Sequence, residues 1–156
     1  MKPALDRRMF VLSLAALALS ACGGSAGAAE PPKIAYGKDA CARCRMIISE
    51  ERQAAGVVAE DGTKTLFDDT GELVATVQTE GLNGRRIWVH DYQAQAWTDG
   101  TKAFYVAAAA VMTPMGTGVV AFKERAAADE FAATHGTTAM SWQEVLQNWQ
   151  IDKRMS

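Results

Sequence analysis

The chain has 156 residues, with 16 Lys/Arg against 18 Asp/Glu and a formal net charge of −2. No basic patch or stripe accompanies that mild acidity, which argues against nucleic acid as a partner. Its length suits one compact domain, or two small fused halves sharing a core.

Lys2, Arg7 and Arg8 form a positive n-region, and an apolar run from Met9 to Leu19 ends in Leu-Ser-Ala-Cys22. Charge, length and small-residue ending predict a signal peptide over residues 1–21. The run is short of the roughly 20 residues a membrane-spanning helix needs. The ending resembles a lipobox, which makes Cys22 the lipidated first residue of a mature chain anchored to a membrane. Arg7-Arg8 also resembles a twin-arginine export signal, so the route, twin-arginine or general secretory, stays open. From Cys22 onward the chain carries 13 Lys/Arg and 17 Asp/Glu.

Residues 22–33 are rich in Gly, Ser, Ala and Pro and read as a flexible tether. Ten such residues reach about 20–30 Å when extended. The folded part is predicted over 34–152. Ala54 to Ala59, the Asp61-Gly62 turn and Lys64 to Phe67 read as a hairpin. Asp68-Asp69-Thr70 then caps a helix to about Glu80, with Leu73, Val74 and Val77 on one face. Arg86 to Tyr92 alternates as a strand. A second round follows: a short strand at Ala96-Trp97-Thr98, an apolar strand over Ala103–Ala108, a loop from Val111 to Gly118, and a buried strand to Phe122. Helices are expected over Ala126–His135 and from Trp142, the latter with Ser141 and Glu144 at capping-box spacing. Asp-Gly-Thr-Lys occurs at both 61–64 and 99–102, a hint of duplication. The fold class is therefore α+β, a tandem of two β-β-α-β-like halves, about 34–93 and 94–152, with mostly antiparallel sheet.

Cys41-Ala-Arg-Cys44-Arg-Met46 carries the chemistry. A thiol and a thioether two residues apart are soft donors, which select Cu(I) over hard cations. In an extended segment Cys44 and Met46 share a face and converge on one ion. The competing reading makes Met46 the start of an apolar core run. In Met112-Thr-Pro-Met115-Gly-Thr-Gly118 either methionine is a further candidate sulfur ligand, with Met115 in the more constrained part. Asp68 and Asp69 fit a hard-cation or partner-docking patch, and fit a helix N-terminus better. His90 and His135 are isolated; a structural role is the default for His90, and their spacing fits no zinc finger. No hydrolytic triad, phosphate loop or dinucleotide fingerprint is present, so no enzyme is expected. Cys41 and Cys44 alone also fit a thiol–disulfide oxidoreductase, although no aromatic residue precedes Cys41 and no βαβ unit follows.

The order of these pieces after the lipobox resembles the NosL family, accessory lipoproteins of nitrous-oxide reductase. It rests on Cys41-x-x-Cys44-x-Met46, Phe67-Asp68-Asp69, Asp91-Tyr92 with Trp97, Pro114-Met115-Gly116-x-Gly118 and Ala121-Phe122. The resemblance implies a periplasmic, lipid-anchored Cu(I) metallochaperone, the outer membrane being the expected address. Cys44 and Met46 then match the family's Cys-x-Met pair, and Met115 its downstream methionine. Cys41, Met112 and His90 are left as further ligand candidates. The implied partners are a membrane transporter with its periplasmic subunit and nitrous-oxide reductase itself. The family commonly has Gly between its Cys and Met; here Arg45 stands there. Its charge is expected to face outward and to lower the pKa of Cys44.

Overall fold

A computed structural model describes residues 30–151. The expected signal peptide, the lipidated Cys22 and most of the tether lie outside the described residues. Among those described, no helix is long and apolar enough to cross a membrane.

The first half follows its local signals. Strands β1 (Ala55–Val58) and β2 (Lys64–Phe67) pair antiparallel across a turn in which Asp61 Oδ1 accepts from the Thr63 N–H. Helix α1 (Thr70–Glu80) returns the chain to β3 (Arg86–His90), which pairs on the other side of β1. Strand β4 (Trp97–Asp99) then adds to β3, giving the antiparallel order β2-β1-β3-β4. Pro32 is buried against β1, so close that a Cβ on Gly56 would lie 2.6 Å from its Cγ.

The second half is smaller. Strands β5 (Phe104–Ala107) and β6 (Val119–Phe122) pair antiparallel, helix α2 (Arg125–Thr134) follows, and Met140 bridges back to Tyr105 on β5. Helix α3 (Trp142–Asn148) is the last described element and carries the expected capping box, made by Ser141 and Glu144. The central strand thus pairs with the strand ahead of the helix and with the segment after it, in both halves: β1 with β2 and β3, β5 with β6 and Met140. Both helices start directly after a strand ending in phenylalanine, Phe67 or Phe122. The α+β, mostly antiparallel class is as expected from the sequence. The repeated Asp-Gly-Thr-Lys does not mark this likeness, because 61–64 joins β1 to β2 within one sheet while 99–102 joins β4 to β5, which lie in different sheets. The counterpart of the β1–β2 turn is the long loop 108–118.

Asp91 fastens the halves together. Its backbone bridges to Ala121, Tyr92 N–H donates to the Ala121 carbonyl, and its carboxylate accepts from the N–H groups of Gln93, Ala94 and Lys123. Helix α1 runs through the centre, packed on β1, β2, β6 and α3. Every residue from Thr70 to Val77 is buried. The sequence predicted one apolar face, but a helix enclosed by both halves is covered on all sides, and Glu72 goes inside with the rest.

Candidate metal centre

The site forms where an irregular hairpin meets the N-terminus of α1. Ala40 bridges Ile47, Cys41 N–H donates to the Met46 carbonyl at 2.8 Å, and Arg45 N–H donates to the Cys41 carbonyl. Fully buried Ile48 anchors the hairpin, and Ala42 N–H ties it to the Leu66 carbonyl at the end of β2. Cys41 is thereby buried and Cys44 half-buried; both thiols are free. Strand β2 then delivers Asp68, and the first turn of α1 delivers Glu72.

Sulfur of Cys41, sulfur of Cys44 and a carboxylate oxygen each of Asp68 and Glu72 all lie within 4.8 Å of one another. Cys41 Sγ donates to Glu72 Oε2 at 2.9 Å, and Cys44 Sγ to Asp68 Oδ1 at 3.4 Å. Asp68 and Glu72 are only 2% and 1% exposed. No Lys, Arg or His forms an ion pair with either among the described residues.

Burial without a cation sets the proton affinities. It raises the Cys41 thiol strongly, assisted by the bond to Glu72, while the N–H groups of Cys44, Asp68 and Arg43 pull the other way. Burial also raises Cys44, with Glu72 and Asp68 adding repulsion. Glu72 is pushed up to about 7, chiefly by burial and further by Asp68 beside it. The expectation that Arg45 lowers the pKa of Cys44 therefore fails: Arg45 is exposed to water, and burial beside two carboxylates decides the matter.

Arg45 has φ +67°, in the left-handed region that favours glycine. Cys44-Arg45-Met46 is thus a tight turn, and the extended i, i+2 geometry expected for Cys44 and Met46 does not occur. Met46 is 54% exposed at the rim and followed by Ile47 at 51%. Met115 is half-buried and Met112 is 87% exposed.

The two aspartates differ in role. Asp69 is fully buried and caps α1 through Gly71 N–H; it also accepts from the Thr113 hydroxyl, the Thr117 hydroxyl and Met115 N–H. It pins the Met115 loop to the helix that carries Glu72. A Cβ on Gly71 would lie within 3 Å of the Thr117 side chain, so the closeness of loop and helix depends on that glycine. Neither aspartate is a surface docking group, because both side chains are turned inward by the bonds just described. His90 also lies apart from the cluster. It is buried, with Nδ1–H donating to the Ala54 carbonyl at 2.8 Å and its ring against Trp97. Burial lowers its pKa, against the Ala54 bond and Glu51, which favour the charged form.

Glu72 escaped the reading of the sequence. The available signal was a lone carboxylate beside Leu73 and Val74 in a helix predicted to pack, four residues after Asp68.

The NosL family profile matches residues 33–150. Among solved structures, the crystal structure of the copper chaperone NosL from Shewanella denitrificans is similar in fold, with a TM-score of 0.61 at 19% identity. The match covers 76% of this chain and 100% of that one. No curated protein matches the chain.

Proposed function

The chain belongs to the NosL family, and from that premise we propose that it is a copper chaperone which carries Cu(I) on Cys44, Met46 and Met115. The carrying observation is the pair of free thiols at one corner of the fold, with a solvent-exposed thioether at its edge. Thiolate and thioether are the donors that prefer Cu(I). The Shewanella protein of similar fold is itself a copper chaperone, which supports the same cargo here.

Binding exchanges a proton for the ion. The Cys44 thiol is protonated at neutral pH, so the S–H proton leaves as sulfur takes up Cu(I), and Asp68 at 3.4 Å is placed to receive it. Met46, exposed on its turn, offers the first contact to an incoming donor and the last to a departing acceptor. Hand-over then proceeds one ligand at a time, as a carrier requires, and no covalent bond of a substrate is made or broken. We further propose that the protein works in the periplasm, held to the membrane by a lipid on Cys22. The anchor raises its effective concentration beside a membrane transporter and its periplasmic subunit, and the copper goes to nitrous-oxide reductase.

The oxidoreductase alternative is disfavoured by the burial of Cys41 and the part-burial of Cys44 beside carboxylates. A reactive Cys-x-x-Cys thiol needs a lowered pKa, and both thiols here are raised.

The test is competition for Cu(I) against a chromogenic chelator with the reduced, purified protein. Wild type should take one ion. Cys44→Ser should lose tight binding, and Met46→Ala and Met115→Ala should each weaken it at least tenfold. Unchanged affinity in Cys44→Ser sinks the assignment.

A further inference from the structure

The Cu(I) reading takes its ligands from sulfur and leaves two buried carboxylates outside the ligand set. Asp68 and Glu72 lie inside the protein beside two thiols, and no cation pairs with them among the described residues. Buried carboxylates are rare unless paired or bound to a metal. Capping does not account for them, because Asp69 supplies the cap of α1 and Glu72 points to Cys41 instead.

We infer that Cys41, Cys44, Asp68 and Glu72 together form a four-coordinate site, two sulfurs and two oxygens, for a borderline divalent cation of tetrahedral preference such as zinc. The distances suit it. A tetrahedral zinc ion with bonds of about 2.0–2.3 Å sets its donors about 3.3–3.8 Å apart. The Cys41–Glu72 and Cys44–Asp68 separations are 2.9 and 3.4 Å, and no pair among the four exceeds 4.8 Å. Adjustments of about an ångström or less complete the shell. Chemistry favours a dication over Cu(I) in this particular set, because carboxylate oxygen is a hard donor that Cu(I) does not seek. Charge does so too: two thiolates and two carboxylates sum to −4, and a dication offsets more of that than a monocation. No zinc-finger pattern is visible in the sequence because carboxylates, not histidines, complete the set.

Cys44 belongs to both ligand sets, so the two ions exclude each other and arriving Cu(I) expels the divalent ion. The divalent site stands on its own donors; only this exclusion rests on the chaperone reading.

Anaerobic titration of the reduced, purified protein with Co2+ provides the test. Wild type should bind one ion, with thiolate-to-cobalt charge transfer in the near-ultraviolet and the intense visible bands of tetrahedral cobalt. Glu72→Gln should weaken binding at least tenfold. Should circular dichroism show Glu72→Gln unfolded, Asp68→Asn carries the same comparison. Absence of charge transfer in wild type, or equal Co2+ affinity in a folded carboxylate variant, overturns the site. The Cu(I) competition is read separately. Cobalt binding without Cu(I) binding removes the chaperone reading and keeps this one; Cu(I) binding without cobalt does the reverse. With both present, added Cu(I) should bleach the cobalt bands.

Discussion

Asp69 offers the sharpest mechanical test, because one carboxylate serves a helix and a loop together. Asp69→Ala removes the cap of α1, worth about 1 kcal/mol. It also strands three donors that are buried or half-buried: the hydroxyls of Thr113 and Thr117 and the N–H of Met115. A buried donor left without an acceptor costs about 1–3 kcal/mol. The two threonine hydroxyls are 3.4 Å apart and can turn to each other, which recovers part of the loss. The expected total is about 3–4 kcal/mol, and at about 4 °C per kcal/mol the Tm of the metal-free protein should fall by about 12–16 °C. Asp69→Asn keeps one acceptor oxygen and should cost about half as much. Thermal unfolding by circular dichroism reads both. A second readout separates positioning from bulk stability: Asp69→Asn and Met115→Ala should each weaken Cu(I) binding, and the double variant should lose no more than the worse single one. A Tm change under about 4 °C in Asp69→Ala refutes the hydrogen-bond reasoning, and additive losses of Cu(I) affinity refute the coupling to Met115.

Two further outcomes are expected. Glu72 has its pKa raised from 4.5 to about 7 in the folded state. Its protonated form therefore favours folding below about pH 4.5, and that contribution is lost as pH rises through 7, on the order of 3 kcal/mol; urea unfolding of the metal-free protein should show this decline in wild type and not in Glu72→Gln. Arg45→Gly relieves a left-handed residue and gives up some unfolded-state restriction, so stability should rise by up to about 1 kcal/mol with Cu(I) affinity unchanged. A loss of about 1 kcal/mol there shows that the Arg45 side chain holds the turn.

Local chemistry made much of the fold legible. Asp61 and Gly62 announced the first turn, Asp69 and the Ser141–Glu144 pair announced two helices, and alternation announced β3. Pairing between distant segments was not legible in the same way. Met140 joins β5 through a single bridge, too short for any periodicity, and β4 leaves the second round of elements for the sheet of the first. The Asp-Gly-Thr-Lys repeat pointed to duplication from the wrong place, because turn residues repeat wherever the same turn chemistry is needed. At the site, Cys41 and Cys44 were legible as a pair, but the arrangement of Cys44 and Met46 depended on one backbone angle. A positive φ at a non-glycine residue has no side-chain signature. The family's glycine at that position was the available hint.

The carboxylates carry the deeper lesson about this molecule. Sequence patterns treat Glu72 as the polar member of an amphipathic helix and assign it to water. That inference holds when a helix lies on a surface. Here α1 lies between two halves, and Asp69 locks the Met115 loop across its first turn, so the usual solvated face is closed. Glu72 then has one polar direction left, toward the sulfur of Cys41, where Asp68 already stands. Folding alone gains little from that meeting, since two acids and two thiols repel as soon as they ionise. Repulsion among the ionised groups is relieved when a cation enters, and the two proposed cargoes differ in how many of the four donors they use. A soft monocation held by Cys44 and thioethers leaves Glu72 outside the shell and the site partly open; a dication draws in all four donors and closes it. The same corner of the fold is therefore suited to release one ion readily and to hold the other, and the choice between them is set by whether Glu72 enters the shell.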